Sequence, residues 1–229
     1  MKKILLSLAV SFLFLKASAQ ISKITLANSG AVESFSINID DGVIMNLSDD
    51  GSDVKFGLPP YNLRTDNYGD YTDRLDPYTG RVEYFSQNDN EAFRGKVKYI
   101  GKTPITYYAS YDEESLRGKI KSIGSVMISY YQAFEDKAFK GKISRIGGLE
   151  LGYYTSFDNE AFRGRLRTVG ITTIAYYTTY DDKLFAGKVK SIGNVSFTYY
   201  SSYDRPEYRG ARKTGMQQQY INGIKFYAK

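Results

Sequence analysis

Three rows of chemically capable side chains recur along this chain at a spacing of 23 residues. The first is acidic: Asp89, Asp112, Glu135, Asp158, Asp181 and Asp204, with Glu91, Glu114 or Glu160 two places on in some copies. Loop carboxylates in such a row could ligate Ca²⁺, which takes about six to eight oxygens. Paired carboxylates could also hydrolyse a glycosidic bond. No copy carries the D-x-[DN]-x-[DN]-G loop or the Gly-rich nonapeptide of calcium-binding repeats. The row therefore reads as turn capping and solvated charge, with no metal and no cofactor assigned. Repetition also spreads the acids evenly, and no copy departs from the pattern to build one special constellation. No catalytic residue is assigned, and a glycan-active hydrolase using paired carboxylates stands as the alternative function.

The second row is basic: Lys96, Lys119, Lys142, Arg165 and Lys188, joined two places on by Lys98, Lys121, Arg167 and Lys190 and two places before by Arg94, Arg117 and Arg163. Parity puts these on one strand face. Such a face could bind an anionic polymer such as an acidic glycan, or it could pair with neighbouring acids and discourage edge-to-edge aggregation. The third row is a tyrosine pair that occurs five times, at Tyr107-Tyr108, Tyr130-Tyr131, Tyr153-Tyr154, Tyr176-Tyr177 and Tyr199-Tyr200. Adjacent strand residues point to opposite faces, so one ring of each pair is expected inside and the other outside. Packing between strands is the first role expected of the outer ring, worth about 0.2–1 kcal/mol per cross-strand pair. Contact with a sugar or a protein is the second, because tyrosine is amphipathic. The candidate binding surface is thus Tyr108, Tyr131, Tyr154, Tyr177 and Tyr200 with Lys96, Lys119, Arg165 and Lys188.

Composition removes other chemistries. The 229 residues include no Cys, no His and no Trp, against 22 Tyr, 13 Phe, 21 Gly and only 5 Pro. Thiol nucleophiles, Fe–S clusters, Cys-ligated zinc, His-bound metals and Ser-His-Asp triads are all excluded. No Gly-rich phosphate loop is present.

The first nineteen residues read as an export signal. Met1-Lys2-Lys3 is basic, Ile4 to Leu15 is mainly apolar, and Ala17-Ser18-Ala19 has the small-x-small pattern, which places cleavage before Gln20. An apolar run of twelve residues spans only ~18 Å as a helix, short of a hydrocarbon core of ~30 Å. Export to the periplasm or beyond is the expected localisation, with no integral membrane segment after cleavage. Removing Lys2, Lys3 and Lys16 leaves 28 cations against 25 acids. That balance points away from nucleic acid and an anionic membrane; an envelope protein or a glycan is the partner expected.

The elements that must position these rows are hairpins. The units are 88–110, 111–133, 134–156, 157–179 and 180–202, with a divergent one from 203. Counted from the aromatic before the acid, position 8 is Gly in all six and position 14 is Gly in the first five. Lys188-Val189-Lys190-Ser191-Ile192 opens as an alternating strand, Gly193-Asn194 supplies a turn, and Val195-Ser196-Phe197-Thr198-Tyr199 alternates again. The linker Phe157 to Gly164 reads as one helical turn, with Asp158 as its cap and Gly164 as a left-handed end. Two architectures suit a 23-residue unit. A parallel β-solenoid would stack equivalent cations ~4.8 Å apart, whereas an antiparallel meander of hairpins sets them ~10 Å apart. The charge argument favours an elongated all-β meander. An outer-membrane barrel is the remaining alternative, but its strands need about 9–11 residues, and those inferred here have five to seven.

The opening of each unit, as in Phe93-Arg94-Gly95-Lys96-Val97 and Phe162-Arg163-Gly164-Arg165-Leu166, resembles the aromatic-x-Gly-x-aromatic start of MORN repeats. The order Tyr-Asp, Phe, Gly is more distantly similar to WG-type β repeats, although this chain lacks their tryptophan. Either resemblance covers about 88–210 and implies hairpin units forming a scaffold or binding surface without catalysis.

The ends differ from the middle. Residues 20–57, with strands flanking Asp40-Asp41-Gly42, are expected to form an N-terminal β cap. Residues 58–87 hold a loop, expected over 58–77, and a partial repeat. The array is expected to run over 88–229, with Ile224 to Tyr227 as a closing strand and Ala228-Lys229 frayed. The sequence therefore describes an exported, non-enzymatic β-repeat protein acting as a binding or structural module of the bacterial envelope.

Overall fold

The computed structural model describes residues 21–60 and 74–229. The export signal over 1–19 and most of the loop expected over 58–77 lie outside them. The described chain is all-β. Its strands are Ile21–Leu26 (β1), Val32–Asn38 (β2), Ile44–Leu47 (β3), Val54–Gly57 (β4), Val82–Tyr84 (β5), Val97–Ile100 (β6), Thr103–Tyr107 (β7), Ile120–Ile123 (β8), Val126–Tyr130 (β9), Ile143–Ile146 (β10), Leu149–Tyr153 (β11), Leu166–Val169 (β12), Thr172–Tyr176 (β13), Val189–Ile192 (β14), Val195–Ser196 (β15), Thr198–Tyr199 (β16), Arg212–Thr214 (β17), Gln218–Ile221 (β18) and Ile224–Ala228 (β19).

β5 to β15 form one antiparallel meander of eleven strands in sequence order. β16 carries on from β15 after Phe197 and pairs with β17. The pairing is antiparallel throughout the array, so the units are hairpins and not solenoid coils. Each hairpin closes on a two-residue loop. In the second, Ile123 faces Val126 and Gly124 has φ +55°, the positive first residue of a type II′ turn. The opposite ends of the strands are joined by longer loops, so all tight turns lie along one edge of the array and all long loops along the other.

One feature of every unit breaks simple alternation. Tyr107 faces Ile120 and Thr106 faces Ser122, so Lys121 is an extra, unpaired residue. Ser144, Arg167 and Lys190 occupy the same bulge in their own units. The bulge explains how positions 10 and 13, an odd distance apart, both point inward: Ile120, Ile123, Ile143, Ile146, Leu166, Val169, Val189 and Ile192 are all buried. Positions 18 and 20 of the return strand join them. The facing-out residues of that strand, such as Thr106, Glu150 and Thr173, are exposed.

The covering layer is a six-stranded sheet in the order β18-β19-β1-β2-β3-β4. Ile24, Leu26, Phe35, Ile37, Met45, Leu47 and Phe226 supply its buried face, and one apolar cluster takes residues from both sheets. Polar contacts pin its turns to the array: Thr103 Oγ1 donates to Asp40 (2.9 Å), Lys142 Nζ pairs with Asp49 (2.7 Å) and Asn222 Nδ2 donates to Thr172 (2.9 Å). Neither sheet closes into a barrel among the described residues.

The segment after the array behaves differently from the expected closing strand. β18 and β19 form a hairpin around Asn222 (φ +50°) and Gly223 (φ +80°), both left-handed as a type I′ turn requires. β19 then lies parallel to β1, pairing Ile24 with Phe226 and Leu26 with Ala228, and does not extend the repeats. Ala228 is buried, and the Lys229 N–H donates to the Leu26 carbonyl at 2.9 Å, so the expected fraying is replaced by pairing.

The position-8 glycine is a sharp test of this packing. Gly164 has φ +69°, and a Cβ there would sit 2.3 Å from the Ala138 carbonyl oxygen of the preceding loop. Gly164→Ala is therefore expected to lower the urea-unfolding free energy by about 1–3 kcal/mol, the cost of a left-handed non-glycine residue.

Candidate functional site

The cations and tyrosines of the expected surface are spent on joining one unit to the next. Position 9 shows this most plainly. Lys119 Nζ donates to the Gly141 carbonyl (2.6 Å) and Lys142 Nζ to that of Gly164 (2.8 Å). Lys96, Arg165 and Lys188 reach the carbonyls of Gly118, Gly187 and Gly210 in the same way. Each cation also lies over the first tyrosine of its unit, as Lys119 does over Tyr130 at 5.0 Å and Lys188 over Tyr199 at 5.0 Å. Burial lowers the pKa of Lys96, Lys119 and Lys188 from the usual lysine value, and that of Arg165 from the usual arginine value.

The first tyrosine of each pair points inward, as expected. Tyr107, Tyr130, Tyr176 and Tyr199 donate to the position-10 carbonyls of Val97, Ile120, Leu166 and Val189 at 2.8–3.0 Å. Burial pushes their hydroxyl pKa values up. Tyr153 is buried without a partner for its hydroxyl among the described residues. There the loop after β3 docks, and the Ile143 N–H donates to the Asp49 carbonyl at 2.7 Å.

The expected outward row of second tyrosines is replaced by a half-buried one. Tyr108, Tyr131, Tyr154, Tyr177 and Tyr200 lie just past the strand ends, where face alternation no longer applies. Tyr131, Tyr154 and Tyr177 donate to the carbonyls of Leu151, Ile174 and Phe197 in the next unit at 2.8–2.9 Å, and Tyr108 reaches Ile128 at 3.3 Å. The rings of Tyr131, Tyr154 and Tyr177 abut the position-6 phenylalanine of that unit: Tyr131 and Phe139 have centroids 4.6 Å apart, and Phe139 stacks on Tyr153 at 6.2 Å. The bulge residues Lys121, Arg167 and Lys190 cover Tyr108, Tyr154 and Tyr177 at 5.3–5.4 Å.

What does face outward is position 1. Tyr111, Phe134, Phe157, Tyr180 and Tyr203 are 85 %, 88 %, 95 %, 93 % and 95 % exposed. None belongs to the packed cluster. Each sits third in a β-turn, closed by hydrogen bonds such as Asp158 N to Thr155 O and Asp181 N to Thr178 O (both 3.2 Å). The acidic row shapes these turns. Asp158 accepts from the Thr155 N–H (2.6 Å) and hydroxyl (2.8 Å), Asp181 does the same with Thr178, and Asp204 with Ser201. Asp158 thus reaches back three residues, and the forward capping expected of it falls to Asn159, which accepts from the Ala161 N–H at 3.1 Å.

Neighbouring turns are latched together. Asn90, Asp136, Asn159 and Asp182 accept from the main-chain N–H groups of Ser110, Ser156, Thr179 and Ser202 in the next loop, at 2.7–3.2 Å. On the other side Arg117, Arg163 and Arg209 donate through Nε to the carbonyls of Asp112, Asp158 and Asp204 at 2.7–3.1 Å. These bonds tie the turns that carry Phe134, Phe157, Tyr180 and Tyr203 each to the next. The pitch is two strand spacings, about 10 Å.

Parity arguments confined to the strands missed this row. The available signal was an aromatic kept at one position of every full unit after the first, inside a stretch whose Asp, Asn and Glu neighbours mark it as a turn. The carboxylates here are acceptors in turns, and no group of three or more His, Cys, Asp or Glu comes together among the described residues. Comparison of the chain with protein-family models, curated proteins and solved structures returns no match.

Two outcomes check the division of labour. Tyr131→Phe removes the bond to Leu151 and is expected to cost about 0.5–1.5 kcal/mol in urea unfolding, while Phe157→Ala is expected to stay within about 0.5 kcal/mol. The second concerns pH. The Thr178 and Ser201 hydroxyls and N–H groups hold Asp181 and Asp204 below the ordinary aspartate value of 3.8. A lowered native pKa stabilises the fold above 3.8 and ceases to do so as pH falls through the native value. The urea midpoint should accordingly fall below that pH, and Asp181→Ala with Asp204→Ala should flatten the fall.

Proposed function

We propose that the chain is an exported, non-enzymatic binding module of the bacterial envelope and that its contact surface is the row Tyr111, Phe134, Phe157, Tyr180 and Tyr203. The carrying observation is that these are the aromatic rings of the repeat left out of its packing. The rings at positions 6, 20 and 21 of the same units are half-buried or buried, apart from the more exposed Tyr208 of the divergent last unit. A lone exposed ring needs no explanation, but five at one position of successive units make a regular apolar feature of the surface. The turn hydrogen bonds hold the main chain that carries these rings before any partner arrives, which reduces the ordering cost of association.

The acids support a binding role over a hydrolytic one. A glycosidase needs one carboxyl with a raised pKa to act as general acid. Hydrogen bonds instead lower the carboxyl pKa values of Asp89, Asp136, Asp181, Asp182 and Asp204. The open sheets and strands of two to seven residues likewise favour a module that rests on its partner.

The test is retention on isolated cell envelopes. The chain carrying Ala at all five positions is expected to keep its far-ultraviolet dichroism and melting temperature and to lose most of its retention. Undiminished retention of that folded variant would refute the reading.

A further inference from the structure

The row of exposed rings has a pitch and a charge that narrow its ligand, on the reading that it is the contact surface. We infer that it takes a neutral, extended, β-1,4-linked polysaccharide, one aromatic ring under every second sugar. The rings repeat every two strands, about 10 Å, and the latches from Asp136 to Ser156, Asn159 to Thr179 and Asp182 to Ser202 hold that interval. In an extended β-1,4-linked chain alternate pyranose rings turn the same face to one side. Its repeat is therefore two sugars, close to the spacing of the aromatic rings. A coiled α-linked glucan offers no such straight row of faces.

Charge supplies the second constraint. The six loops 88–95, 111–118, 134–141, 157–164, 180–187 and 203–210 together carry thirteen carboxylates and eight cations. The cations of positions 9 and 11 lie outside or at the foot of these loops, committed to carbonyls and to the tyrosines beneath them. With the five position-9 cations, whose side chains reach the loop glycine carbonyls, the count is thirteen against thirteen, so an acidic glycan, a nucleic acid or an anionic lipid surface would gain no net attraction along the row. A neutral sugar presents C–H faces to the rings and hydroxyls to the flanking Asp, Glu and Arg side chains, and it needs no net charge on the row. The same balance gives no support from charge to the acidic-glycan alternative that the basic row left open.

Length dependence follows from the geometry. A hexasaccharide spans three rings and a disaccharide only one, so affinity should climb in steps of two sugars as rings are engaged together.

Isothermal titration of the full chain with cellobiose, cellotetraose and cellohexaose, and with chitohexaose, tests this. The hexaoses are expected to bind and the disaccharide to bind at least tenfold more weakly. Phe157→Ala, at the centre of the row, is expected to weaken hexaose binding about tenfold, or ~1.4 kcal/mol, with no change in melting temperature. Equal binding of maltohexaose, tighter binding of polymannuronate, or association with phosphatidylglycerol vesicles would overturn the ligand class. If no neutral hexaose binds while the five-alanine variant still loses envelope retention, the ligand class falls and the contact surface stands. If retention is also unaffected, both fall.

Discussion

The structure depends on one repeated junction between hairpins. A tyrosine at the end of one unit lays its ring against the next unit's phenylalanine and gives its hydroxyl to a carbonyl two strands further on. Beside it, a lysine or arginine reaches the left-handed glycine of the same neighbour. No hairpin of four or five residues per strand stands alone in water. Each is ordered because a neighbour accepts its hydrogen bonds and covers its rings. Because the junction is made of main-chain carbonyls and aromatic faces, it tolerates change at many positions, yet it requires the glycine, the tyrosines and the cation to keep their intervals.

That requirement explains which side chains the fold engages and which it leaves exposed. Lysines and tyrosines are familiar binding residues, but here their exposure is limited and their polar atoms are engaged. The position-1 rings are free of the junction. Changing Phe157 alters no hydrogen bond and no core contact, so its retention as an aromatic in five units has no packing cause in this structure.

Much of the fold could be read from residue order, and the exceptions have physical reasons. The hairpins, their turn glycines and the antiparallel meander follow from local patterning and like-charge spacing. The bulge was signalled only by aliphatic residues at positions 10 and 13, whose odd separation no regular strand can point to one face. Asn222-Gly223 is a strong hairpin dipeptide, but it falls outside the 23-residue register of the array. The parallel pairing of β1 with β19 joins segments about two hundred residues apart, and no local pattern encodes a partner at that distance. The candidate surface was displaced by one turn: strand parity sends Tyr108 outward, but the strand ends at Tyr107 and the exposed ring is Tyr111.

The parallel seam also sets how many rings the row can hold. In an open solenoid a unit can be duplicated or dropped with little consequence elsewhere. Here the hairpin that follows the array must arrive beside β1, and only Gly215, Met216 and Gln217 connect it to β17. Three extended residues reach about 10 Å, the length by which adding or losing one unit would shift the arrival point. The covering sheet therefore acts as a gauge bar against which the array is cut to size, and lengthening the row would mean rebuilding the cover as well.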